Sequence, residues 1–173
     1  MLIVSTIPAE NILLVKMIVL GVDPGLIKTG YGVIKVEKNT LFYIASGTIF
    51  TNVKLPMADR LKNIFGEINN VINLYNPDFF SIEETFVNKN PTSSLKLGQA
   101  RGVAILAAGM NNLKVFEYKP NAIKKSITGV GKAAKEQIGM MIKCLLPSAN
   151  AKTEDEADAL AIAICHANNS TVY

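Results

Sequence analysis

Three short stretches of this 173-residue chain place carboxylates where they could do chemistry. Asp23 ends the apolar run IVLGVD at 18–23 and is followed by Pro24 and Gly25. Glu83 ends a second apolar run, FFSIE at 79–83, with Glu84 beside it. The third stretch, TEDEADALAIAI at 153–164, sets Asp155 and Asp158 at i and i+3, on one helical face. Several of these acids have a plain structural account. Aspartate is common before Pro-Gly in turns. Thr153 and Glu156 have the spacing of a capping box, and acids in a first helical turn suit the helix dipole. Asp158 fits neither account. It lies past the first turn of a helix that is otherwise almost wholly apolar. Such a helix is buried, and a buried carboxylate must be paired or bind a metal. No Lys or Arg follows Lys152, so the helix offers no local partner.

Carboxylates that converge without a cation repel one another, and divalent cations resolve the repulsion. Mg²⁺ prefers oxygen ligands and commonly sits between carboxylates and substrate phosphates. Two such ions can hold the attacking and leaving oxygens of a phosphodiester displacement. The basic residues point the same way. Lys and Arg number 18 against 14 Asp and Glu, and the chain separates its signs. Residues 114–143 carry seven lysines and two acids, while residues 88–101 carry Lys89, Lys96 and Arg101 and no acid. Clustered acids with segregated lysines suggest metal-dependent hydrolysis of nucleic acid.

The elements that must position these residues follow from hydropathy and turn signals. Apolar or alternating runs at 18–23, 30–36 and 41–50 read as three strands, the last two joined at Lys38-Asn39. Apolar residues at helical spacing fill 57–75, and Pro77 closes that helix. Strands follow at 79–83 and 114–118, with a helix from Thr92 or Ser93 to about Met110 between them. Lysine-rich helical turns at 120–127, a helix over 133–145 and a last helix from Thr153 to about Ala167 complete the order. Three meandering strands followed by alternating strands and helices make an α/β fold with a mixed sheet. Open sheets of this kind place their sites at the carboxyl ends of strands, where Asp23 and Glu83 stand. Period two sends Glu83 and Glu84 to opposite faces, so only one easily joins Asp23.

Composition bounds the rest. Hydrophobic residues make up 49% of the chain, enough for one domain with a real core. Cys144 and Cys165 lack CxxC spacing and sit in apolar stretches, which fits reduced, buried thiols. With a single histidine, a Cys/His zinc site is close to excluded. That residue, His166, lies about two turns beyond Asp158 and reads as structural. Pro8, Glu10, Asn11 and Lys16 interrupt the most apolar stretch, and no signal-peptide pattern appears. The expectation is a soluble, cytoplasmic protein with no membrane contact.

From Met17 to about Asn168 the chain resembles the RuvC family of Holliday-junction resolvases. The matching stretches are GVDPGLIKTGYGVI at 21–34, PDFFSIEETFVNKNPTSSLKLGQARGVAI at 77–105, VFEYKP at 115–120, TGVGKAAKEQI at 128–138 and DEADALAIAICH at 155–166. The resemblance implies a ribonuclease H-like fold with a five-stranded mixed sheet flanked by helices. It implies a homodimeric crossover junction endodeoxyribonuclease, a Mg²⁺-dependent hydrolase that nicks two strands symmetrically during DNA recombination and repair. It assigns Asp23, Glu83, Asp155 and Asp158 as metal-binding catalytic acids. Lys124 and Lys135 become the basic residues nearest the active site, and Phe86 the aromatic that stacks on bases at the crossover. The RuvAB branch-migration complex is the implied partner. Residues 1–16 precede the family's usual start, so the nuclease domain is expected at 17–169.

Two other functions share some of these signals. Actin-like ATPases and sugar kinases use a sheet of this topology and a D-x-G phosphate turn, but need two such domains around a cleft. A DNA-binding module without catalysis would explain the lysines but would leave four unpaired acids facing DNA.

Overall fold

The computed structural model describes residues 16–84 and 91–170. In chain order these form β1 (Lys16–Asp23), β2 (Lys28–Glu37), β3 (Thr40–Phe50), α1 (Met57–Tyr75), β4 (Phe79–Glu83), α2 (Pro91–Met110), β5 (Lys114–Tyr118), α3 (Pro120–Thr128), α4 (Lys135–Leu145) and α5 (Glu154–Asn169). The sheet order is β3-β2-β1-β4-β5. The β1–β2 and β2–β3 pairs are antiparallel, and the β1–β4 and β4–β5 pairs are parallel. This is the expected mixed sheet. Lys38 and Asn39, both at positive φ, turn the chain between β2 and β3, as two-residue hairpin loops require.

Helix ends follow their local chemistry. Pro120 opens α3 and Gly129 closes it in the left-handed region. The lysine-rich turns are thus a full helix. Pro91 begins α2, so Thr92 and Ser93 sit inside its first turn instead of capping it. Asn76, at φ 43°, ends α1 one residue before Pro77.

Alternation along β1 sorts the core into two layers. Val19 joins α3, α4 and α5 on one face, whereas Leu20 and Val22 join α1 and α2 on the other. Cys165 is buried, as expected, but Cys144 is exposed. The inward face of α4 is set by Ile138 and Ile142, and Cys144 falls off that stripe. His166 is buried among the rings of Phe79, Phe116 and Tyr118. Its Nδ1 lies 2.8 Å from the Tyr118 hydroxyl, and Nε2 has no partner among the described residues. A proton on Nδ1, donated to Tyr118, leaves only a lone pair unsatisfied, which costs less than a buried N–H. Burial pushes the imidazole down to about 4. The residue is structural, as its position in the sequence suggests.

The tightest packing in the fold is between α5 and the middle strands. A Cβ on Gly21 would stand 2.2 Å from the Ala159 carbonyl oxygen and 2.6 Å from the Ala163 nitrogen. On Gly30 it would stand 2.0 Å from the Asp155 carbonyl oxygen. Backbone cannot yield as a side-chain tip can. Gly21→Ala is therefore expected to cost about 3 kcal/mol or more by overpacking. In contrast, a Cβ on Gly66 in α1 meets nothing within 4 Å, so Gly66→Ala should stabilise by roughly 0.5–1 kcal/mol. Urea midpoints of the two variants should move in opposite directions. A tolerated Gly21→Ala would show that α5 is not seated on β1.

Candidate active site

Strand pairing sets the first half of the site. Val22 pairs with Ile82 in parallel register, so Asp23 and Glu83 come next on adjacent strands, about 4.8 Å apart by strand spacing. Gly21 and Ser81 both face α5, since a Cβ at the first meets Ala159 and the Ser81 hydroxyl lies 3.5 Å from the Ile162 carbonyl. Two residues further on, Asp23 and Glu83 face the same side. Glu84 turns the other way, with its N–H bonded to the Tyr118 carbonyl at 2.9 Å.

The second half comes from α5, whose first turn is fixed from several directions. Thr153 caps it by accepting from the Glu156 N–H at 3.2 Å. The Glu156 carboxylate reaches back to the Lys152 N–H at 3.3 Å, one residue before the cap, and accepts the Ser46 hydroxyl at 2.7 Å. Thr48 and Thr153 hydroxyls meet at 2.8 Å. Glu156 is thus buried and satisfied, tying α5 to β3 as well as capping it. Its neighbours Asp155 and Asp158, half-buried, are carried to the edge where Asp23 and Glu83 lie.

Arg101 of α2 is a positioning residue that the sequence reading does not single out. Its Nε donates to the Glu83 carbonyl at 3.1 Å, and Nη2 pairs with the Glu117 carboxylate of β5. It braces the end of β4 against its neighbours. Only its place in an acid-free stretch distinguishes it in the sequence. Phe86 lies outside the described residues.

The electrostatics show that the acids share one environment. Burial, then Asp158, Glu83 and Asp155, push the Asp23 carboxyl up to about 7, against the pull of Lys135. Glu83 is raised by burial and then by Asp158, with Lys124 opposing. Asp158 is raised chiefly by burial, with Lys135 pulling it back. Lys135 supplies the basic partner that α5 lacks locally. Its Nζ lies 3.0 Å from Glu154 and 4.0 Å from Asp158. Two lysines from α3 and α4 therefore act on the candidate acids, but neither neutralises Asp23.

The donor set suits a hard divalent cation. All four groups are carboxylates, and the neighbouring acids add to burial in raising the proton affinity of Asp23. Among the described residues no three of the acids form a ready-made cage.

A carboxyl raised from 3.8 to about 7 binds its proton more tightly in the folded than in the unfolded chain. Its contribution to stability is fully present below pH 3.8 and lost as pH rises through about 7, a change of roughly 4 kcal/mol. Asp23→Asn removes this cost. In chelator at about pH 8, the variant should melt higher than the wild type, and the two should converge near pH 4. A divalent cation should raise the wild-type melting temperature more than the variant's. Equal melting of both proteins in chelator at high pH would show that burial and the neighbouring acids do not disfavour the Asp23 carboxylate as described.

Comparison with known proteins identifies the family. The family model for crossover junction endodeoxyribonuclease RuvC matches residues 19–166. The RuvC of Rhodospirillum rubrum is 51% identical over 152 residues, covering 88% of this chain and 90% of that protein. The RuvC of Allorhizobium ampelinum is 50% identical over 151 residues, covering 87% and 89%. Thermus thermophilus RuvC, solved in complex with Holliday junction substrate, superposes with a TM-score of 0.83 at 30% identity, over 87% of this chain and 93% of that one. With the family model spanning nearly all of β1 to α5 and half the residues identical to these relatives, the chain belongs to the RuvC family of crossover junction endodeoxyribonucleases.

Proposed function

We propose that this protein is a structure-specific endonuclease that resolves four-way DNA junctions by paired symmetric nicks in recombination and repair. The observation that carries the reading is the meeting of Asp23 and Glu83 from the sheet with Asp155 and Asp158 from α5. It occurs in a chain whose relatives are crossover junction endodeoxyribonucleases. The four carboxylates are the metal ligands. Bound Mg²⁺, as one ion or two, would supply an activated water and charge for the leaving oxygen. The chain's own task is to hold the acids on rigid elements, with Lys135 and Lys124 partly opposing the burial that raises their proton affinity. Lys135 and Lys124 offset the acids and face the phosphate that must approach them. Phe86 follows Glu83 in sequence and is assigned to base stacking at the crossover.

The partners follow the family. The protein acts as a homodimer and works with RuvAB in the cytoplasm. Leu95, Leu106 and Met110 are exposed along α2, beside the exposed Gly98, Gly102 and Gly109. A second copy would cover that face. No helix among the described residues is long and apolar enough to cross a membrane. The nuclease domain spans 17–169, and residues 1–16 are an extension that activity does not require.

Incubation with a synthetic mobile four-way junction and Mg²⁺ should give paired symmetric nicks, with a linear duplex left intact. Equal nicking of both would overturn the reading. Asp23→Asn, Glu83→Gln, Asp155→Asn and Asp158→Asn keep shape and remove charge, so each should reduce cleavage by ~10²-fold or more. Junction binding in chelator should survive or tighten. Glu84→Gln and Glu156→Gln should still cut, because the first faces away and the second keeps its acceptor for Ser46. If all six variants cut normally, the acids are structural.

A chain starting at Met17 should melt and cut like the full protein. Lys16, paired with Glu37 at the far end of β1, is the only described residue removed. A large fall in melting temperature on truncation would make the extension part of the fold.

A further inference from the structure

The active acids have lysines on one face of the sheet, carried by α3 and α4. The opposite face holds a second basic feature that the mechanism leaves unused. A cavity of about 520 Å³ opens between the β1–β2 loop, α1 and α2. Among the described residues Lys28, Arg60 and Lys96 line it, with Gly25 and Leu26 of the loop, and no acid does. Its wall begins at Gly25, two residues after Asp23. It therefore opens at the same sheet edge as the acids, across the sheet from Lys124 and Lys135.

The cavity is built. Arg60 donates from Nη2 to the Leu26 carbonyl at 2.9 Å and from Nε to the Thr51 hydroxyl at 3.1 Å. The Leu26 segment is thus held open by a cation that also forms the wall. Lys28 and Lys96 are exposed, and Lys28 Nζ stands over the Phe50 ring at 5.9 Å from its centre. None of the three pairs with a carboxylate among the described residues. Three cations in a concave site with no anion among the described residues raise the local potential, which attracts phosphate.

We infer that this cavity is a second phosphate-binding site, taking the sugar-phosphate backbone of a junction arm on the α1/α2 face. The inference rests on the junction-binding reading. A strand crossing the acids has basic residues on both sides of the sheet edge, so arms diverging from a crossover meet a cation whichever face they leave by. A linear duplex lying along one face reaches only one of the two sets.

The test measures junction affinity in chelator as a function of salt for the wild type, Lys28→Ala/Lys96→Ala and Lys38→Ala. Lys38 lies in the hairpin turn at the other end of β2 and controls for net charge. Each phosphate left without its lysine should lower the salt slope by about 0.9. Between about 50 and 200 mM salt, the double variant's affinity should fall about 3-fold less than the wild type's if one phosphate is released, and about 12-fold less if two are. Lys38→Ala should keep the wild-type slope. A folded double variant with an unchanged slope would overturn the inference. So would a changed monomer–dimer equilibrium at unchanged slope, which would assign the cavity to a second copy of the chain. A wild type that does not prefer the junction to duplex would instead bring down the reading beneath it.

Discussion

Direct backbone contact between α5 and the strands under it is the constraint on which the rest of the site depends. Asp155 and Asp158 belong to a helix, and Asp23 and Glu83 to a sheet. Ordinary side chains between such layers would hold them apart. At Gly21 and Gly30 no side chain intervenes, and the helix backbone rests on the strands. The cap at Thr153 and the Ser46–Glu156 bond reinforce that seating, and the Arg101 brace steadies the end of β4 separately. Their common effect is to remove freedom from the elements that carry carboxylates.

The same seating creates an electrostatic cost. Burial first, and then the charge of neighbouring acids, raises the proton affinity of Asp23, Glu83 and Asp158, most of all at Asp23. Lys135 and Lys124 moderate the cost without cancelling it. Fully paired acids would make a more stable protein and a poorer ligand for a cation. A destabilised site of this kind is a usual form of the trade between stability and activity.

Much of this is legible in the sequence, and the boundary of legibility has a physical cause. Period two places Asp23 and Glu83 at strand ends, and helical spacing puts Asp155 and Asp158 on one face. Those are local rules. The Ser46–Glu156 bond joins residues 110 apart in the chain, and Arg101 meets Glu117 across two elements. No periodicity reports such pairs. The exposure of Cys144 escapes a sequence reading because an apolar neighbourhood does not tell which side of α4 a residue occupies. Lys135 as partner to Asp158 comes from a different helix, so spacing does not report it, and only the family resemblance sets it near the acids. The identity of α3 as a complete helix needs only its proline and glycine ends, which are visible.

Glycine contacts also decide which molecule must change shape. A helix packed through side chains can shift by rotamer changes, whereas one resting on backbone has no such cushion. The helix that carries Asp155 and Asp158 is therefore fixed on the strand that carries Asp23, and on the proposed reading a phosphate reaches these acids by bending of the nucleic acid. Bending a duplex through a large angle costs on the order of 1–6 kcal/mol. A four-way junction already carries that deformation in its branched geometry. Rigidity in the protein thus becomes a filter for distorted DNA, acting before any base is read.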